Sequence, residues 1–452
     1  MTRVSGPELA HLLLALGLLL VAAHGAGHVF ALLRQPRVIG ELTGGLLLGP
    51  TLLGTLAPRG ESWLFPSTGP TASVIGWCSQ LGLLLLMFCS GAEMRSVFHR
   101  DERRVVLWVT VLGVALPFLA GLAAFQVIDS SALIGSAHSR TALVLVFALA
   151  IAVTSIPVIS RIMLDLGVIE TSFARVVLGV AVLEDVVVYI VLAIALGLAA
   201  APGDEELGLS AALGLSPSSP PAIALHTAVT VAFFVLMLTV GARAFGWCRR
   251  QRWNALAQSN PIAYVLVFLF AATLACLVLG ITPLFGAFLA GIAANAANAG
   301  QEPADVAARA SVKAFSFAFF VPIYFAVVGL QLDLLHDLDL AFFAGFLLLA
   351  CVVKSASVYL GARLAGEARS GAANLAVAAN ARGGPGIVLA SVTYGAGVIS
   401  APFCATLVML AVVTSMLAGG WLGHVVRLGR PLRGEPRAGV RRPGRRPSRS
   451  SA

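Results

Sequence analysis

Apolar residues fill long blocks along nearly the whole chain, and polar or charged residues gather in the gaps between them. The blocks fall near 9–33, 38–56, 73–94, 105–127, 142–163, 174–200, 222–246, 261–279, 282–299, 314–332, 339–362, 372–398 and 402–426. A helix of about 20 apolar residues crosses the hydrocarbon core of a bilayer, and with no water to serve the backbone a helix is the form such a block takes. The pattern therefore predicts an all-α polytopic membrane protein with about 13 transmembrane helices. Two blocks are interrupted: the fifth by AVTSIPVISR, with Pro157, and the twelfth by ANARGGPGIV, with Pro385 and three glycines. If the seventh span is a linker, both are the fifth span of their half, and the second half starts on the opposite side from the first. That predicts an inverted repeat with two discontinuous helices crossing near the midplane, where freed carbonyls and helix ends can ligand an ion. Two ordinary proline kinks are the alternative, which the symmetry of the two positions disfavours.

Composition agrees. Of the 452 residues 11% are charged and 58% hydrophobic, and mean hydropathy is +0.93, against roughly a quarter charged in a soluble domain. The net charge of +9 is no sign of nucleic acid, because nine arginines lie in the last 26 positions and the remainder is near neutral. The six cysteines are scattered singly, without metal-ligand spacing, and read as small hydrophobes. GARLAG and NARGGPG follow no strand and are not dinucleotide loops. No cofactor is expected, and with no Ser/His/Asp or HExxH set the chain does not read as an enzyme.

With the N-terminus outside, the segments after the odd-numbered spans carry the basic residues: Arg34 and Arg37, then Arg95 to Arg104, Arg161 and Arg175, Arg243 to Arg252, Arg309 and Lys313, Arg363 and Arg369, and finally the tail. The other side receives only Arg3, Arg59 and Arg140, with the acidic groups Asp204, Glu205, Glu206 and Asp333, Asp337, Asp339. The positive-inside rule makes the tail cytoplasmic. Residues 1–429 then form the transmembrane domain, and 430–452 a disordered arginine-rich tail suited to anionic lipid. A cleaved signal peptide over residues 1–30 is the rival reading, but cleavage would spoil the topology.

Glu184 and Asp185 lie inside VVLGVAVLEDVVVYIVLAIALGLAA, residues 176–200, with no other charge in that run. One ionised side chain at this depth costs roughly 2.5–3.5 kcal/mol on insertion scales, so two adjacent acids call for a cation, a proton or a basic partner. Lys354 and Arg382 are the two deep basic residues, and Lys354 is one of only two lysines. A lysine in a dry site can surrender its proton, whereas an arginine effectively cannot. Lys354 thus reads as a proton carrier and Arg382 as a fixed compensating charge; a structural Glu184–Lys354 pair bracing two helices is the alternative. Thr154 and Ser155 add oxygens beside the first break, for ligation or for back-bonding to their own helix. Glu41 and Glu93 fall near block ends, where capping or snorkelling accounts for them, and His11, His24 and His28 read as packing or interface residues.

RQPRVIGELTGGLLLGPTLLG, LGLLLLMFCSGAEM, AVTSIPVISRIMLDLGVI, LEDVVVYIVLAIAL, LFGAFLAGI, FVPIYFAVVGLQLDL and NARGGPGIVLA together resemble the bacterial monovalent cation:proton antiporter superfamily, in the branch of sodium/proton antiporters and potassium efflux systems. The resemblance runs from residue 9 to about 426. It implies a secondary active antiporter in a bacterial inner membrane, exchanging a monovalent cation, Na+ foremost, for protons, with K+ as the alternative cation and a non-transporting sensor as the rival class. It implies a homodimer in which spans 1–3 and 8–10 form a scaffold and spans 4–6 and 11–13 a core that slides as an elevator. Asp185 matches the ion-binding and proton-exchanging aspartate, hence the transported cation's ligand. Lys354 matches the lysine that pairs with the preceding position in electrogenic members. Glu184 departs from the usual aspartate, asparagine or glutamine there, which leaves ion choice and stoichiometry open.

Overall fold

A computed structural model describes residues 5–33, 35–93, 102–199, 220–251, 254–297 and 303–433. Among them the chain is helical, with a single isolated bridge, Ile134 to Ile399, as its only β pairing. The helices are α1 (Gly6–Leu32), α2 (Arg37–Leu48), α3 (Pro58–Leu64), α4 (Pro70–Glu93), α5 (Arg103–Phe125), α6 (Arg140–Ala152), α7 (Ile156–Asp165), α8 (Ser172–Gly197), α9 (Pro220–Leu236), α10 (Ala242–Arg250), α11 (Ala255–Ser259), α12 (Pro261–Val278), α13 (Pro283–Ala296), α14 (Pro303–Phe315), α15 (Val321–Leu330), α16 (Leu334–Asp337), α17 (Leu340–Leu364), α18 (Arg369–Ala378), α19 (Gly383–Gly395) and α20 (Ala401–Arg427). π-helical turns at Met237–Gly241 and Ser316–Phe320 join α9 to α10 and α14 to α15.

Ten helical stretches among the described residues are long and apolar enough to cross a membrane. The three other expected spans are shorter: α2 has 12 residues before Gly49 ends it, α13 has 14, and the fifth is split into α6 and α7. The twelfth has the length but is split into α18 and α19. Outward-facing Leu13, Val21, Trp77 and Leu348 are exposed, the apolar exterior that lipid requires and water would not tolerate. Helix starts follow the sequence chemistry: Ser139, Thr171, Asp339 and Ser400 cap α6, α8, α17 and α20 by accepting from backbone N–H groups.

The helices pack in two groups. In one, α1 lies on α2, α2 on α15, α4 on α13 and α13 on α12. In the other, α5 lies on α17 and α6, α6 on α8, α17 on α18, and α19 on α20. Glycines allow the first group to close tightly: a Cβ at Gly91 or Gly291 would overlap the facing backbone of α13 or α4. Between the groups, Tyr189 of α8 meets Phe288 of α13 edge-on at 4.7 Å, and the Tyr324 hydroxyl of α15 bonds Ser391 of α19 at 2.5 Å.

Two expectations change. Glu41 is buried at the α1–α2 contact with Oε2 unpaired, because α1 and α15 cover that face of α2; Glu93 does reach outward, to Lys313 at 2.5 Å. Of the tail expected from residue 430 on, Leu432 is buried, its carbonyl accepts from Asn374 at 2.9 Å, and Arg433 pairs with Glu367 at 2.6 Å. Residues 434–452 and the acidic group 204–206 lie outside the described residues. His11 touches Thr71 and Trp63, and His24 donates to the Ala318 carbonyl, both packing roles.

Candidate ion and proton site

Each broken helix leaves backbone groups without intrahelical partners, and the two breaks meet and serve one another. Ser155 N donates to Ala381 O at 2.7 Å, and the Thr154 hydroxyl donates to Ala379 O at 2.7 Å. The Thr154 hydroxyl therefore reaches across to the second break instead of back-bonding, and its lone pairs stay available. Ser155 caps α7 by accepting from Val158 N at 3.4 Å, and Ser415 caps α19 by accepting from Gly383 N at 3.1 Å.

The last carbonyls of α6 end in two cations. Arg382 donates through Nε to Ala150 O at 3.2 Å and through Nη2 to Ile151 O and Ala350 O, both at 3.1 Å. Its Nη1 reaches Asn380 O at 3.2 Å and Asn380 Oδ1 at 3.1 Å. Lys354 Nζ donates to Ala152 O at 2.5 Å. Positive charge at a helix C-terminus offsets the negative end of its dipole. Arg382 thus compensates a helix end; among the described residues no carboxylate pairs with it directly.

The acids are unequal. Glu184 and Lys354 are both fully buried, and Nζ lies 2.9 Å from Oε1 and 3.0 Å from Oε2. Gly113 O is the fourth acceptor of the ammonium, at 2.9 Å. Asp185 is equally buried, yet neither of its oxygens has a hydrogen-bond partner among the described residues. Successive helix positions point about 100° apart, so Glu184 faces the lysine on α17 and Asp185 faces elsewhere. One turn on, Tyr189 packs on Phe285 and Phe288.

All six residues singled out in the sequence, Glu184, Asp185, Thr154, Ser155, Lys354 and Arg382, are buried, and hydrogen bonds tie all of them but Asp185 to the two breaks. Gly113, Asn380 and Ser415 were not singled out. Gly113 acts through its carbonyl, for which the one sequence signal is Pro117 four positions on; Ser415 sits unmarked in an apolar run.

Residues 16–428 match the family described as sodium/hydrogen exchanger, transmembrane. The chain is similar to the Na+/H+ antiporter NhaS4 of Synechocystis sp., 27% identical over 415 residues that make up 90% of this chain and 94% of the relative. It is also similar to K+/H+ antiporter 1 of Saccharomyces cerevisiae, 28% identical over 86% of this chain but only 43% of that protein's length. The fold resembles the sodium proton antiporter MjNhaP1 of Methanocaldococcus jannaschii, with a TM-score of 0.60, 16% identity, and coverage of 93% of this chain and 99% of that one. With the matched region spanning nearly all of the membrane helices and both breaks, the chain belongs to the transmembrane sodium/hydrogen exchanger family, within the monovalent cation:proton antiporters.

Proposed function

We propose that this protein is a secondary active antiporter that exchanges a monovalent cation, Na+ foremost, for protons across a bacterial inner membrane. One observation carries the reading: Asp185 is fully buried with both oxygens unpaired, while its neighbour Glu184 is already neutralised by Lys354. A desolvated carboxylate does not carry a bare charge at tolerable cost. It takes a proton or a cation, and the two compete. Thr154 and Ser155 supply further oxygens for a hard cation from the first break. Lys354 is the second proton carrier, and Arg382 is the fixed charge that holds the breaks together. The names of the two curated relatives, a Na+/H+ and a K+/H+ antiporter, support the same class.

Exchange requires that Asp185, closed to solvent here, open to each side in turn. The division of the packing supports an elevator in which α5 to α8 and α17 to α20 move against a scaffold built on α1, α2, α4 and α12 to α15. The protein works as a homodimer through that scaffold, with its N-terminus outside and its C-terminus cytoplasmic. Purified protein in liposomes loaded with a pH-sensitive dye tests the reading. Addition of Na+ should dissipate an imposed pH gradient, with Li+ and K+ as comparison arms. If none of the three cations moves protons, the proposal fails.

A further inference from the structure

Within a helix the N–H of residue i+4 occupies the carbonyl of residue i. Proline has no N–H and leaves that carbonyl free. In α5 the proline is Pro117, so the carbonyl it leaves free is that of Gly113. Lys354 Nζ donates to this carbonyl at 2.9 Å. At the second break Ala381 O, which lies before α19, also accepts from a distant donor, Ser155 N at 2.7 Å.

The glycine has a separate reason. A Cβ at position 113 would lie 2.9 Å from Glu184 Oε1 and 3.2 Å from Val358 Cγ2. The longer acid at 184 therefore reaches its lysine through space that only a residue without a side chain leaves open. We propose that Gly113 and Pro117 are positioning residues for the Glu184–Lys354 pair: the proline dedicates a backbone acceptor to the ammonium, and the glycine makes room for the glutamate's extra methylene. The inference rests on the exchange reading only in assigning the pair a part in proton movement.

Two measurements on the full-length protein test it: cation-driven proton exchange in liposomes, and thermal unfolding in detergent across pH, which needs no transport. Gly113→Ala should slow exchange about tenfold and lower the unfolding temperature, as overpacking does. In the Glu184→Asp background, where the acid is shorter, the same substitution should cost less than about twofold. Pro117→Ala returns a donor to the Gly113 carbonyl and takes an acceptor from Lys354. It should move the pH profiles of exchange and of unfolding toward acid by about one unit. Equal losses from Gly113→Ala in both backgrounds, no loss in either, or unmoved profiles for Pro117→Ala would overturn the proposal. Should the parent protein exchange no cation at all, the unfolding arm still decides this inference while the functional reading falls alone.

Discussion

Lys354 holds both oxygens of Glu184, at 2.9 and 3.0 Å, and spends its remaining hydrogen-bonding capacity on two backbone carbonyls. The pair is closed on itself and leaves Asp185 as the acid without a partner. Removing one member of such a pair strands the other. Lys354→Gln should destabilise the protein by about 3 kcal/mol or more, and Glu184→Gln added to it should recover most of that. Thermal unfolding of the two single variants and the double variant measures it; additive losses would mean that the pair is not coupled.

Voltage dependence follows from the same pair. If a cation at Asp185 draws Glu184 away from Lys354, both Asp185 and Lys354 release protons, so two protons exchange for one cation. At 100 mV one net charge is worth about 2.3 kcal/mol, more than a tenfold shift in the cation gradient at equilibrium. Gradients measured in liposomes clamped at several potentials should follow voltage, and Lys354→Gln should weaken that dependence. The same gradient at every potential would show electroneutral exchange.

Arg382 carries a structural load. Its guanidinium serves Ala150, Ile151, Ala350 and Asn380 at once. An ammonium has three donors on one atom and cannot span those positions. Each buried carbonyl left unpaired costs about 1–3 kcal/mol, so Arg382→Lys should lower the unfolding temperature and reduce exchange with it. Unchanged stability would remove Arg382 from the account of how the breaks are held.

Leu432 and Arg433 pack against the membrane helices. Truncation after Arg433 should leave cation affinity and stability unchanged. Truncation after Gly429 also removes the buried Leu432 and the Arg433–Glu367 pair, and should cost about 1–3 kcal/mol. Equal stability of the two truncated proteins in thermal unfolding would contradict the packing at Leu432.

Charge was legible in the sequence because an ionised group in an apolar run is expensive enough to need a reason, which marked Glu184, Asp185, Lys354 and Arg382 before any geometry. The breaks were legible from proline and glycine, whose backbone chemistry interrupts a helix wherever it stands. Partnership was harder to see. Gly113 and Ser415 work through a carbonyl and a cap whose partners are far away in sequence, and no local pattern encodes a distance of that kind. Glu41 was misplaced because nearness to the end of an apolar block suggests water, whereas α1 and α15 cover it. Leu432 and Arg433 were hidden by the arginines around them, since composition describes a segment and packing is decided residue by residue.

The central claim is that protons and cations compete for Asp185. The most direct measurement adds Na+ to the purified protein in weakly buffered detergent solution and counts the protons released. The parent protein should release protons in step with cation binding. Asp185→Asn keeps the shape and loses the titration, and should cut both the release and liposome exchange by at least about 100-fold while the protein stays folded. Undiminished release from a folded Asp185→Asn protein would contradict the account and place the site elsewhere.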